Sequence, residues 1–284
     1  MYVSMCGMLN RANKGNYAVM AINCFNLESA RAVIDAAEKL RAPIIIDLLQ
    51  EHMQYHLDSR FLIAPIVRMA NEASIEVAIN LDHGQNIGFV KRCLQDGFSS
   101  VMMDASGYPI EENIRITREM VEFAQTYNAS VEGEVGQMGA TSGNQLTNTS
   151  MYTDPDSAIN FARKTGIDAL AVSYGSSHGT YSEGYTPKFH FEIVEKIKKE
   201  TEMPLVLHGG SGCGEENLRR SVRLGINKIN MGTDFMKAQL KSIKDQLKDP
   251  GQSDYVELIH QTMESGKNIV QKYILIANSA GKSL

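Results

Sequence analysis

The 284-residue chain is 43% hydrophobic and 21% charged, the composition of a globular protein long enough for one large core. A formal net charge of -5 without any basic run excludes a nucleic-acid footprint or a polybasic membrane surface, so the expected partners are small molecules and further copies of the chain. Cys6, Cys24, Cys93 and Cys213 lie far apart and suggest neither a disulfide framework nor a thiolate zinc site. The opening MYVSMCGMLNRANKGNY lacks the apolar core of a signal segment, and no later stretch is apolar over the length of a membrane span, so a cytoplasmic protein is expected.

Taken in chain order, short apolar runs alternate with longer amphipathic segments. The runs are YAVMAIN ending at Asn23, PIIIDLL at Leu48, VAINLDH at His83, SVMMD at Asp104, SVEGEV at Val135, ALAV at Val172, PLVLH at His208 and KINM at Met231. Between them, segments such as LESARAVIDAAEKL, NIGFVKRCLQDG and NIRITREMVEFAQTY place apolar residues at helical spacing. Asp154-Pro155-Asp156 and Thr233-Asp234 supply caps and acids at helix starts. Eight repeated βα units predict an α/β fold, a (β/α)₈ TIM barrel, as a single domain over residues 1–284 with an extra C-terminal helix in YVELIHQTMESGKNIVQKYILIANSAG. Two long loops, residues 137–154 and 175–188, have the composition of mobile covers.

In such a barrel the C-terminal strand ends converge on one face. Asp82, His83, Asp104, Glu132, Glu134, His178, His208 and Asn230 all fall in or just after the predicted strands, where an unpaired buried charge would be costly. His83, His178 and His208 are each followed by Gly, which would let the chain turn away and leave the imidazole at the mouth. Three neutral imidazoles with an open fourth position match a catalytic zinc site. His52, His56, His190 and His260 lack that setting and read as structural or surface groups. Asp82 reads as an acid or base at the metal, or else as a carboxylate that orients a ligand. Glu132 and Glu134 share one strand face, so one would orient an imidazole while the other approaches the metal; Asp104 reads as their structural partner. HGGSG at 208–212 and NMGTD at 230–234 each precede a predicted helix, the usual barrel site for a phosphate.

LDHG, VEGEVGQMG, GSSHGTY, LHGGSG and KINMGTD together resemble the class II fructose-bisphosphate and tagatose-bisphosphate aldolases. That resemblance implies a lyase of carbohydrate metabolism that reversibly cleaves a ketose bisphosphate to dihydroxyacetone phosphate and an aldehyde. It further implies Zn2+ on His83, His178 and His208, with Glu134 as an alternate ligand and Asp82 exchanging the proton of the C4 hydroxyl. Asn23, Gly179, Gly209, Gly210, Ser211, Asn230, Gly232 and Thr233 would hold dihydroxyacetone phosphate, with a monovalent cation (Na+ or K+) near its phosphate. A homo-oligomer, dimer or tetramer, is expected.

The sequence departs from the family twice. The loop after the fifth run reads GQMGATSGNQL and lacks the acid that usually follows a Gly-Gly pair, and the second run leads into DLLQEHMQYH rather than a loop of small residues. Asp47 or Glu51 would then replace the lost acid, or else take part in a salt-bridged loop. Two further readings compete. One is an aldolase for a ketose phosphate without the terminal phosphate; the other is a non-catalytic barrel subunit that keeps its metal. A zinc hydrolase would leave the paired phosphate loops unexplained.

Overall fold

The computed structural model describes residues 1–141, 146–248 and 254–284. Its centre is a closed barrel of eight parallel strands, β1 (Val19–Asn23), β2 (Ile44–Leu49), β3 (Val77–Gly84), β4 (Ser100–Met103), β5 (Ser130–Val135), β6 (Ala169–Val172), β7 (Leu205–Leu207) and β8 (Ile226–Met231), with β8 pairing back to β1. All eight predicted runs are strands. Two end sooner than expected: Asp104 and His208 each lie one residue beyond β4 and β7.

The outward side chains of the strands, among them Ile44, Ile46, Val77, Ile79 and Leu81, are buried in one continuous core under the helices. Those helices are α2 (Leu27–Lys39), α4 (Ser59–Glu72), α5 (Ile87–Asp96), α6 (Ile110–Gln125), α7 (Pro155–Thr165), α8 (Phe191–Thr201), α9 (Glu215–Arg223) and α10 (Thr233–Gln246), and the predicted C-terminal helix is α11 (Tyr255–Ile276), which packs on α10 and α2. Cap chemistry explains several starts. Asn26 and Ser29 form a reciprocal capping box on α2, and Asp154 accepts from Ser157 N on α7.

The inward side chains form a second core whose lower half contains Val19, Ala21, Ile45, Ala78, Met102, Ala169, Ala171 and Val206. These are mostly small, and the space they leave is filled by Met5, Met8, Leu9 and Ala12 of a further helix, α1 (Met5–Gly15). Sequence patterning had assigned no element there. Ser4 caps α1, and Met5 N donates to Ser100 Oγ (3.1 Å), which fixes the helix against the barrel floor. Above this apolar plug the inward residues turn polar, which prepares the upper end for chemistry. A six-residue helix, α3 (Gln50–Tyr55), follows β2 directly at that end.

Candidate active site

Strand alternation places the first functional groups. In β3, Ala78, Asn80 and Asp82 face inward while Val77, Ile79 and Leu81 face the helices. His83 should then point outward. It reaches the mouth because its own backbone is left-handed (φ +46°) and the β3–β4 register shifts between Leu81 and Gly84. A positive φ at a non-glycine residue costs on the order of 1–3 kcal/mol and is retained where the surroundings demand it. This corrects the glycine argument at one of three places. After His178 and His208 the turn is made by glycine, at φ +103° and +65°. After His83 the histidine turns, and Gly84 instead permits close packing: a Cβ there would lie 2.6 Å from the Met102 carbonyl oxygen.

His83, His178 and His208 converge, with ring centroids 5.1, 4.7 and 6.2 Å apart and candidate ligand atoms all within 4.8 Å of one another. Carboxylates orient two of the rings. Asp104 Oδ2 lies 3.0 Å from His83 Nδ1, and Glu132 Oε1 lies 2.7 Å from His208 Nε2. Each contact commits one ring nitrogen and turns the other inward. Asp104 is itself held by Gln85 Nε2 (3.2 Å) and Ser106 Oγ (2.7 Å). His178 is positioned by the loop after β5: its N–H donates to Gly139 O (2.9 Å) and its carbonyl accepts from Thr141 N (2.7 Å). The described part of the loop expected to be a mobile cover is thus tied to a site residue; residues 142–145 of it lie outside the described residues.

The electrostatics fit a divalent cation. His83 Nε2 and Glu134 Oε2 are buried without a hydrogen-bond partner among the described residues. Burial, and then the charges of Asp104 and Glu132, push the Glu134 carboxyl up to about 8 against the pull of His83. Burial opposes protonation of His83, but Asp82, Asp104 and Glu134 raise it to about 10. Burial followed by the charges of His83 and His208 lowers His178 and favours its neutral form. The protein alone gathers more negative charge than it neutralises, and an inserted cation would relieve that excess. Asp104 and Glu134 form a second candidate ligand set with His83.

Asp82 is fixed by two amides, Asn23 Nδ2 on Oδ2 (2.7 Å) and Asn230 Nδ2 on Oδ1 (3.2 Å). Burial would raise its carboxyl, but His83, His208 and Lys228 together hold it below the usual range, so it stands as the carboxylate. One cavity of about 690 Å³ joins Asp82 and the three histidines to Asn23, Gly179, Gly209, Ser211, Asn230, Gly232 and Thr233. Ser211 Oγ accepts from Asp234 N (3.1 Å), and Gly212 N donates to Asp234 Oδ2 (3.1 Å), so the glycine loop after β7 is fastened to the start of α10.

Two assignments change. Gly210 does not line the cavity: its N–H donates to Asn230 O (2.9 Å), and a Cβ would lie 2.7 Å from Ile229 Cγ2, so the glycine serves packing rather than an anion. Asp47 is not at the mouth either. It pairs in register with Asn80 rather than Asp82, accepts from Asn80 Nδ2 (2.9 Å) and is fully buried one layer below the site, out of reach of a substrate. Glu51 lines the cavity as an exposed group.

Lys228, which patterning did not single out, is fully buried with Nζ 2.7 Å from Glu132 Oε2 and 3.8 Å from Asp47 Oδ2. Burial opposes its charge, but Asp47, Glu132 and Asp82 raise it to about 12. It supplies the fixed cation that lets Glu132 hold His208. Its position two residues before Asn230 on one strand was the available signal. His52, read in the sequence as a structural or surface group, also lines the cavity, with Nδ1 buried and unpaired among the described residues.

A closed parallel barrel hosts many chemistries, and comparison with known proteins gives the class of this one. The family model for fructose-bisphosphate aldolase class II matches residues 3–282. The chain is 37% identical over 284 residues to a fructose-bisphosphate aldolase of Geobacillus stearothermophilus, covering 99% of this chain and 98% of that one. It resembles the crystal structure of the YdjI aldolase from Escherichia coli K12 over the full length of both chains, with 31% identity and a TM-score of 0.89. This chain belongs to the class II fructose-bisphosphate aldolase family, and it is an aldolase. No helix among the described residues is long and apolar enough to cross a membrane.

Proposed function

We propose that this enzyme is a zinc-dependent aldolase that reversibly cleaves a ketose phosphate to dihydroxyacetone phosphate and an aldehyde. The observation that carries the reading is the convergence of three imidazoles, two held by carboxylates, around the unpaired Nε2 of His83. His83, His178 and His208 would hold the ion, and Glu134 would serve as an alternate ligand. Bound there, zinc supplies a Lewis acid that polarises a carbonyl oxygen.

The remaining roles belong to side chains and backbone. Asp82, held ionised and oriented by Asn23 and Asn230, takes the proton from the C4 hydroxyl as the C3–C4 bond breaks, and returns it in the condensation direction. Gly179, Gly209, Ser211, Asn230, Gly232 and Thr233 form the wall for dihydroxyacetone phosphate. Its phosphate lies at the start of α10, whose N-cap residue, Gly232, has no side chain to cap the helix, with a monovalent cation (Na+ or K+) beside it. Asp104 and Glu132 keep the ligand rings in place.

Stripped of metal and reconstituted, the enzyme should regain ketose phosphate cleavage with about one zinc per chain; full activity in metal-free protein would contradict the proposal. Asp82→Asn should retain the ion and lose about 10²–10⁴ in kcat. If it instead loses the ion and keeps its turnover when zinc is in excess, Asp82 only orients a ligand. Exposed Tyr55, Phe61, Tyr255 and Val256 support assembly as a homo-oligomer, dimer or tetramer, and a monomer by light scattering would contradict this. Four free cysteines suit a cytoplasmic setting.

A further inference from the structure

The cavity has two unlike walls. In the closed strand order β3 and β4 stand across the barrel from β7 and β8, so the wall formed by α3 and the turns after β3 and β4 faces the glycine loops. If dihydroxyacetone phosphate occupies the β7–β8 side, the α3 wall meets the aldehyde. Its side chains are Gln50, Glu51, His52, Gln54, Gln85 and Ser106.

From this wall we infer that the aldehyde half of the substrate is uncharged and hydroxylated, not phosphorylated, an inference that rests on the aldolase reading above. Three observations carry it. First, among the described residues no Lys or Arg lines the cavity, and residues 142–145, in sequence Ser-Gly-Asn-Gln, bring no charge. Second, the wall presents a carboxylate, Glu51, which repels a phosphate dianion.

Third, backbone donors in the turns after β3 and β4 are consumed. Gln50 Oε1 accepts from Gln85 N (3.1 Å) and Asn86 N (3.2 Å). Asn86 Oδ1 caps Phe89 N at the start of α5 (2.9 Å), and Asp104 Oδ1 takes Ser106 N (3.2 Å). What remains suits hydroxyl groups, which can both donate and accept: the Glu51 carboxylate and the Gln54 amide. A phosphate set against Glu51 would meet a like charge as it lost its water, whereas a hydroxyl would donate to the carboxylate and accept from the Gln54 amide.

The test is aldol addition by the zinc-loaded full-length enzyme, with dihydroxyacetone phosphate as donor and either glyceraldehyde or glyceraldehyde 3-phosphate as acceptor. Solvent exchange of the C3 proton of dihydroxyacetone phosphate, which needs no aldehyde, is followed in parallel. We expect kcat/KM for glyceraldehyde to exceed that for the phosphate ester by at least about tenfold. Glu51→Lys should shift the ratio toward the phosphate ester by a similar factor. Proton exchange combined with preference for glyceraldehyde 3-phosphate overturns this inference alone, as does a ratio unmoved by Glu51→Lys. Absence of exchange with zinc bound overturns the aldolase reading itself.

Discussion

At the scale of single residues, the site depends on a charge chain that runs from Lys228 through Glu132 to His208, with every member buried. Removing one member of such a chain is more damaging than its contacts suggest, because the partners keep their charge without compensation. Lys228→Met should therefore destabilise the fold by about 3–5 kcal/mol in urea unfolding and weaken zinc binding, while Lys91→Met, which breaks a half-exposed pair with Glu119, should cost less than about 1 kcal/mol. Equal effects of the two substitutions would contradict the assigned role. Asp82, His83 and His208 were legible in the sequence because each stands in or at the end of an apolar run, and His178 because a glycine follows it as one follows the other two histidines. Asp47 was readable as a stand-in for the missing loop acid, but not its depth, which depends on pairing with Asn80 instead of Asp82. Gly210 was misread because adjacent glycines look alike in sequence, yet only Gly209 and not Gly210 faces the cavity.

At the scale of elements, the eight strands were readable as short apolar runs, and α11 as a long amphipathic stretch. The first helix was not. Its apolar residues Met5, Met8, Leu9 and Ala12 follow helical spacing, but the segment is short, carries Gly7 in its first turn and ends in polar residues, so local propensity argues weakly for it. Its stability comes from packing into the space left by Ala21, Ala78, Ala169 and Ala171. Leu9→Ala should therefore cost about 2–5 kcal/mol despite lying at the far end of the barrel from the chemistry. A loss below about 1 kcal/mol in urea unfolding would show that α1 is a loose appendage. The bend at His83 was likewise invisible in sequence. Consecutive residues of a regular strand cannot both face inward, so Asp82 and His83 meet at the mouth only through the left-handed backbone at position 83.

At the scale of the whole molecule, barrel closure converts separate strand ends into one site: Asn23 and Asn230 reach Asp82 because β8 pairs with β1 and both stand near β3 across the mouth. The order of strands made that convergence foreseeable, whereas the filling of the acceptor wall by α3 was not, since its composition reads as an ordinary polar loop. The proposed chemistry has two parts, carbanion formation at dihydroxyacetone phosphate on the β7–β8 side and recognition of the aldehyde by the wall that α3 lines. The first is tested most directly by following exchange of the C3 proton of dihydroxyacetone phosphate in deuterated solvent, with enzyme as purified, after chelation, and after return of zinc. Exchange that disappears with the chelator and returns with zinc is the predicted result; exchange that persists in metal-free protein would contradict the central claim.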